Sequence, residues 1–312
     1  MKQIIATLFS LILVIHVNYG QLRLPKYISD GMVLQRDQPI KIWGFASPDE
    51  KVIVRFAGKE YTSLTQKDST WSVMLPPQMA GGPYNISIKG SNQIMIKNIL
   101  FGDVWLCSGQ SNMELPIERL KDAYPELYRS ARNPMIRQFT VPKEYDFNTK
   151  KEDLSGGSWI EVSPKTIKDF SGVAYFFAAK VYESEKIPIG LINSALGGSP
   201  AQSWISEEGL KKFPEYLDIV YQYRDEKYVD SIKNYNANRH RNWYKKLNDS
   251  DEGLKNHWQQ TAMDRTTWKT ANMPSLWSTF DTNMKPGAIW MHRTFEVNKK
   301  NAGQTARLFL GC

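Results

Sequence analysis

The sequence predicts an α/β protein: a parallel sheet with crossover helices, preceded by a small all-β domain and followed by a return to β pattern. Three observations carry this. Between residues 22 and about 98, short runs rich in β-branched and aromatic residues, such as Ile40 to Trp43 and Val52 to Phe56, are separated by turn clusters. From Ile99 onward, short continuous apolar runs alternate with helical patterns, as buried parallel strands joined by crossover helices do. From about Thr261 aromatic and β-prone segments come back.

The elements follow in chain order. Lys2 precedes the apolar stretch Ile4 to Val17, and Asn18, Tyr19 and Gly20 come next, so residues 1–20 read as a signal peptide. The stretch is shorter than the ~20 residues that span a bilayer as a helix, and no second long apolar run follows. The expectation is export to the periplasm or the medium, with no membrane span. No cysteine lies near Gly20, which argues against a lipid anchor there.

Residues 21–98 are expected to form a non-catalytic β-sandwich domain. Its hairpins are assigned to the turn clusters Ser47-Pro48-Asp49, Lys67-Asp68-Ser69 and Ala80-Gly81-Gly82-Pro83. Residues 99–260 form the α/β domain, with candidate buried strands at Val104 to Cys107, Ile136 to Val141 and Ile189 to Ile192. Between the last two, Val173, Phe176, Phe177 and Val181 fall on one helical face expected to be core, after Asp169 and Ser171 as capping residues. Residues 207–260 are polar and read as surface helices. Residues 261–312 carry Trp268, Trp277 and Trp290, the turn Lys285-Pro286-Gly287, and expected strands around Ile289 to Val297 and Ala306 to Leu310. A last strand without a partner suggests a β-domain that is cut short, so the chain is read as a fragment of a longer protein.

Composition removes several function classes. The 312 residues contain two cysteines, Cys107 and Cys312, too few for a disulfide scaffold. Cys107, inside an apolar run, reads as a small buried hydrophobe. The net charge of +8 is scattered, and its densest region, Arg239 to Lys255, mixes in Asp249, Asp251 and Glu252, as a solvated helix face does. Nucleic-acid binding is not expected. Neither a His-Glu-x-x-His pattern nor a Cys/His cluster occurs, so no metal or other cofactor is expected.

The segment with chemical content is Gly102-Asp103-Val104-Trp105-Leu106-Cys107-Ser108-Gly109-Gln110-Ser111-Asn112-Met113-Glu114. It reads as a strand that delivers Ser111 on a glycine-containing turn at the carboxyl edge of a sheet, where open α/β sheets bind ligands. Position 113 is Met, so this is not the Gly-x-Ser-x-Gly elbow. By residue type alone, a serine on a turn is more often a turn residue than a nucleophile.

The stretch from Trp105 to Glu114 resembles the first sequence block of the sialate O-acetylesterase family, esterases of the SGNH hydrolase type. Further stretches are similar to the same family: Ser29-Asp30-Gly31-Met32-Val33-Leu34-Gln35-Arg36, Ile42-Trp43-Gly44, Phe170 to Phe177, Ile187 to Ile192, and Trp290 to Phe295. The resemblance implies an SGNH-hydrolase-like (flavodoxin-like) parallel sheet, the N-terminal β-domain, and the start of an inserted β-domain. It implies Ser111 as the nucleophile, with its own N–H helping to hold the oxyanion. The segment Asn193 to Trp204 looks like the family's second glycine block. There Gly197 and Gly198 can be an ordinary strand-to-helix turn with Pro200, or oxyanion donors, and Ser111 upstream favours the second role. Gln110 and Asn112 flank the nucleophile as turn support or weak substrate contacts.

SGNH-type enzymes take their base from an Asp-x-x-His arrangement. None of His240, His257 and His292 has Asp three residues before it, and all three are assigned surface or structural roles. The substrate implied is O-acetylated sialic acid. The alternatives are another acetylated polysaccharide, such as acetyl xylan, or a carbohydrate-binding protein without catalysis. The sequence leaves the oligomeric state open.

Overall fold

The computed structural model describes residues 20–273, 275–276, 279 and 287–305. The expected strand at Ala306 to Leu310, Trp277, Lys285, Pro286 and all but the last residue of the expected signal peptide lie outside the described residues. The chain forms two compact units, one ending at Asp218 and the other beginning at Ile219.

The first unit opens with strands β1 (Val33–Gln35), β2 (Ile40–Phe45), β3 (Lys51–Phe56), β4 (Lys59–Leu64), β5 (Thr70–Leu75), β6 (Gly81–Lys89) and β7 (Gln93–Gly109). Alternation sets their faces: Val52, Val54 and Phe56 of β3 are buried while Lys51 and Arg55 are exposed, the period-two pattern of a strand with one face on a core. β2 pairs with β5 in a separate antiparallel sheet. β3 lies between β4 and β6, and β6 pairs with β7. Ile42 and Trp71 from one sheet share a core with Val54, Ile86 and Phe101 from the other.

None of the three turn clusters assigned to hairpins closes one. Ser47-Pro48-Asp49 and Lys67-Asp68-Ser69 carry the chain from one sheet to the other, and Gly81-Gly82-Pro83 lies inside β6. The hairpins turn instead at Ala57-Gly58, between β3 and β4, and at Gly90-Ser91-Asn92, between β6 and β7. Turn residues mark a change of direction and do not say which strand the chain pairs with next.

β7 belongs to both halves of this unit. Up to Phe101 it pairs antiparallel with β6, and Leu100 to Gly102 run parallel to β1. From Asp103 to Gly109 it pairs in parallel register with a later strand, so residues 98 and 99 sit within one continuous strand. At the crossover, a Cβ on Gly102 would collide with the Pro188 carbonyl oxygen, which makes glycine the residue that fits. Beside it, Arg36 Nε donates to Asp103 Oδ1 at 2.8 Å.

After β7 come helix α1 (Ser111–Glu114), a 3-10 turn Ile117–Leu120, α2 (Pro125–Ser130), β8 (Asn133–Thr140), β9 (Trp159–Val162), α3 (Gly172–Glu185) and β10 (Ile189–Ala195). The order across the sheet is β7-β10-β8-β9. β10 is parallel to both neighbours and β9 antiparallel to β8. The result is a mixed α/β architecture whose large sheet contains the expected parallel strands.

Two burial expectations are overturned. Ser171 caps α3, its Oγ accepting from the Ala174 N–H, but the buried residues of α3 are Gly172, Ala174, Tyr175 and Ala178. Val173 is 50% exposed, and Phe176 and Phe177 are also exposed, packing edge-on or tilted against Tyr124 and Trp105. Apolar residues ring α3, so periodicity does not select a face, and the small side chains take the side toward the sheet. In the expected buried strand Val104 to Cys107, only Cys107 is buried, and Leu106 is 70% exposed. Among the described residues β7 has a partner on one side only beyond Gly102, so this stretch is a sheet edge.

Helices α4 (Glu207–Leu210) and α5 (Pro214–Tyr223) follow, and the second unit holds α6 (Glu226–Ser250) and α7 (Glu252–Lys255). No described helix is long and apolar enough to cross a membrane. Asp251 caps α7 through the N–H groups of Gly253 and Leu254 and also accepts from Trp290 Nε1 at 2.9 Å. Trp258 sits against Trp268 and Trp290, at 5.5 and 6.2 Å between ring centroids. The strand expected at Ile289 to Val297 is absent: the segment has no ladder partner among the described residues, and a strand without one leaves its backbone groups unpaired.

Candidate active site

The site is assembled where β7 and β10 end side by side. β7 stops at Gly109, whose φ of +132° suits glycine, and Gln110 then leads into α1. The parallel register pairs Ser194 with Ser108 and Ala195 with Gly109, and the Leu196 N–H continues the ladder onto the Gly109 carbonyl at 3.0 Å. The two loops therefore leave the sheet in contact.

Ser111 is the first residue of α1 and is exposed, as are Gln110 and Asn112. Gly197 stands next to it: a Cβ placed on Gly197 would lie 3.5 Å from Ser111 Oγ and 2.5 Å from Glu114 Oε2. Gly198 adopts φ +78°, with open space where a Cβ would stand. The structure thus brings Ser111 and Gly197 together at the rim of the sheet, with Gly198 next in the chain.

The Gln110 side chain is tied down, its Nε2 donating to the Ser199 carbonyl at 2.6 Å, which joins the two loops a second time. Asn112 has no side-chain hydrogen bond among the described residues. Two flanking residues thus differ: one secures the turn and the other is free.

Four further residues build this site that the sequence reading did not single out. Glu114 Oε2 accepts from the Gly197 N–H, and its Oε1 is paired with Lys143 Nζ. Ser199 is buried, its Oγ donating to the Leu196 carbonyl at 2.6 Å and accepting from Trp204 Nε1 at 3.0 Å. Trp204, with its only polar atom so engaged, is 46% exposed. The spacing from Ser111 to Glu114 was the one available signal, since residues three apart share a helix side. Lys143, more than thirty positions from Ser111, had none.

Donors for a negative charge are at hand. The Gly197 N–H is engaged by Glu114, while the N–H groups of Ser111 and Gly198 have no hydrogen bond among the described residues. A serine hydroxyl with its own N–H unengaged, next to a glycine turn that carries a second such N–H, offers the kind of groups an acyl-transfer site uses, in which preorganised N–H groups face the developing oxyanion. No histidine stands with it among the described residues of the same unit, because His240, His257 and His292 all lie beyond Asp218. His240 lies tilted against Tyr244, 4.6 Å between ring centroids, and His257 and His292 are exposed. Among the described residues no three His, Cys, Asp or Glu side chains converge as a metal site.

Residues 101–249 match the family model described as carbohydrate esterase, sialic acid-specific acetylesterase. The chain is similar to the sialate O-acetylesterase of Homo sapiens, 32% identical over 208 residues, covering 61% of this chain and 40% of that protein. It is similar to the sialate O-acetylesterase of Mus musculus, 33% identical over 211 residues, covering 61% of this chain and 38% of that protein. Among solved structures, a carbohydrate acetylesterase from Xanthomonas citri superposes with a TM-score of 0.59 at 38% identity, over 61% of this chain and 43% of its own. The chain thus spans about two fifths of the length of these relatives.

Proposed function

We propose that the chain, whose residues 101–249 match the family model of sialic acid-specific acetylesterases, carries the nucleophile half of a serine esterase that removes O-acetyl groups from sialic acids. Ser111 Oγ attacks the acetyl carbonyl, the sugar hydroxyl leaves, and water releases acetate from the acyl-enzyme. The N–H groups of Ser111 and Gly198 hold the oxyanion of each tetrahedral intermediate, and Gly197 keeps the second loop against the first. The base is assigned to a part of the full enzyme outside these 312 residues, since Asp-x-x-His does not occur among them. The observation that carries the reading is the exposed Ser111 hydroxyl beside Gly197. Ser111→Ala in the full-length enzyme should abolish acetate release and leave the melting temperature unchanged. Retained turnover sinks the proposal.

A second substrate reading is favoured by the likeness to a carbohydrate acetylesterase at 38% identity: an acetylated polysaccharide in place of sialic acid. Acetate release from O-acetylated sialic acid and from acetyl xylan, compared at equal ester concentration, separates the two. The location proposed is the periplasm or the medium, supported by Lys2 and the apolar stretch Ile4 to Val17. N-terminal sequencing of the mature protein tests it, and a chain still starting at Met1 refutes it.

A further inference from the structure

The geometry points to Glu114 as a positioning residue: anchored by Lys143, its carboxylate holds the Gly197 N–H and so fixes the glycine turn against Ser111. This rests on Ser111 being the nucleophile. Three neighbouring strands meet at this one side chain. Glu114 closes the short helix that follows β7, Gly197 lies two residues past β10, and Lys143 lies three residues past β8. In the sheet β10 runs between β7 and β8, so one carboxylate ties together the loops leaving three adjacent strands at their carboxyl ends.

Two other ties join the same loops, Leu196 N–H to the Gly109 carbonyl and Gln110 Nε2 to the Ser199 carbonyl. Neither reaches Gly197. A hydrogen bond from an amide to an ionised carboxylate is among the stronger kinds, so Glu114 is the group able to hold the turn at that point. Lys143 is half exposed, and an exposed ion pair adds little stability by itself. Its effect is to keep Oε1 engaged and leave Oε2 for Gly197. Because Gly197 is held this way, the donors left for the oxyanion are those of Ser111 and Gly198. Placement within a fraction of an ångström decides what such donors are worth, and a 1 Å error costs up to ~10²-fold in rate.

The test uses the full-length enzyme and p-nitrophenyl acetate. Glu114→Ala should lower kcat at least tenfold, with KM within about twofold and the melting temperature little changed, as expected for lost preorganisation. Glu114→Gln keeps an oxygen acceptor at the same reach and should restore most of kcat. Glu114→Asp, one methylene shorter, should not. Lys143→Met should fall between wild type and Glu114→Ala. The inference is overturned if Glu114→Ala leaves kcat unchanged or raises it, if Gln is no better than Ala, or if the loss of kcat follows the loss of folding across the series. Ser111→Ala run in parallel separates the two claims: its retained activity defeats the esterase reading itself, whereas an inactive Ser111→Ala beside a fully active Glu114→Ala defeats only the role of Glu114.

Discussion

Arg137 on β8 and Asn98 on β7 are joined by two hydrogen bonds, from Nη1 to the Asn98 carbonyl at 2.5 Å and from Nη2 to its Oδ1 at 2.9 Å. Arg137 is 3% exposed, and its guanidinium also donates to the carbonyls of Gly31 and Pro134. Burial pushes its pKa down, opposed by Glu161 on the adjacent strand. An arginine remains charged in spite of this. It therefore acts as a branched donor that ties the early β-sheet to the parallel one. Arg137→Met leaves four neutral acceptors without their donor and should cost about 1–3 kcal/mol, the range for leaving buried polar groups unpaired, read from the urea midpoint. Arg137→Lys should recover little, because one ammonium cannot reproduce the fork.

The two glycines beside Ser111 should respond differently to alanine. At Gly198 the φ of +78° is the obstacle and neighbours are not, so Gly198→Ala is expected to cost about 1–2 kcal/mol of stability. At Gly197 the added methyl would meet Glu114 Oε2 at 2.5 Å and lie 3.5 Å from Ser111 Oγ. Gly197→Ala should displace the carboxylate and lower kcat about tenfold or more, with a small change in melting temperature. Thermal melts and p-nitrophenyl acetate kinetics on both variants decide the matter.

The part of the site carried by contiguous residues was legible in the sequence, and the part carried by long-range contacts was not. A strand, a glycine turn and Ser111 follow one another in the chain, and Gly197-Gly198 likewise follow a strand. Glu114, Lys143, Ser199 and Trp204 gain their roles only once β7, β10 and β8 are aligned, and apart from the three-residue spacing of Ser111 and Glu114 nothing local sets them apart. The same limit explains α3. With apolar side chains all round, the choice of Ala174 and Ala178 for burial is made by the sheet it packs on. Hairpins were misplaced because Ser47-Pro48-Asp49 reverses the chain as a hairpin turn would, while pairing of β2 with β5 is decided by the shared core.

Cys107 lies in a second core, with Ile136, Ala174 and Leu191, where it is 6% exposed and burial pushes its thiol pKa up. In the unfolded chain the thiol ionises near pH ~8.5. Its folded pKa is the higher of the two, so its contribution to stability is complete below pH ~8.5 and lost as pH rises toward the folded value. Burial likewise raises Tyr128 and Tyr175, and tyrosines of the unfolded chain ionise only near pH ~10, so the onset of the fall above pH ~8.5 belongs to Cys107. In a Cys312→Ala background, the urea midpoint should fall between pH 8 and 9.5, and Cys107→Ala should flatten that fall. The native thiol should also resist a disulfide reagent at pH 8, and rapid labelling would contradict its burial.

Trp204 offers the sharpest separation between ester chemistry and sugar recognition. Its indole N–H is committed to Ser199, whose carbonyl in turn holds Gln110, the residue before the nucleophile. What remains exposed is ring surface, and it is fixed in orientation by the same contacts that build the site. An aromatic face with its polar atom satisfied suits the apolar C–H face of a pyranose. In the full-length enzyme, Trp204→Ala should raise KM for O-acetylated sugar about tenfold, as loss of ~1.4 kcal/mol of binding would. KM for p-nitrophenyl acetate, which has no sugar, should stay within twofold. Trp204→Phe keeps a ring but loses the anchor to Ser199, so it should recover part of the sugar affinity. Equal losses on both substrates would mean that Trp204 only supports the loop.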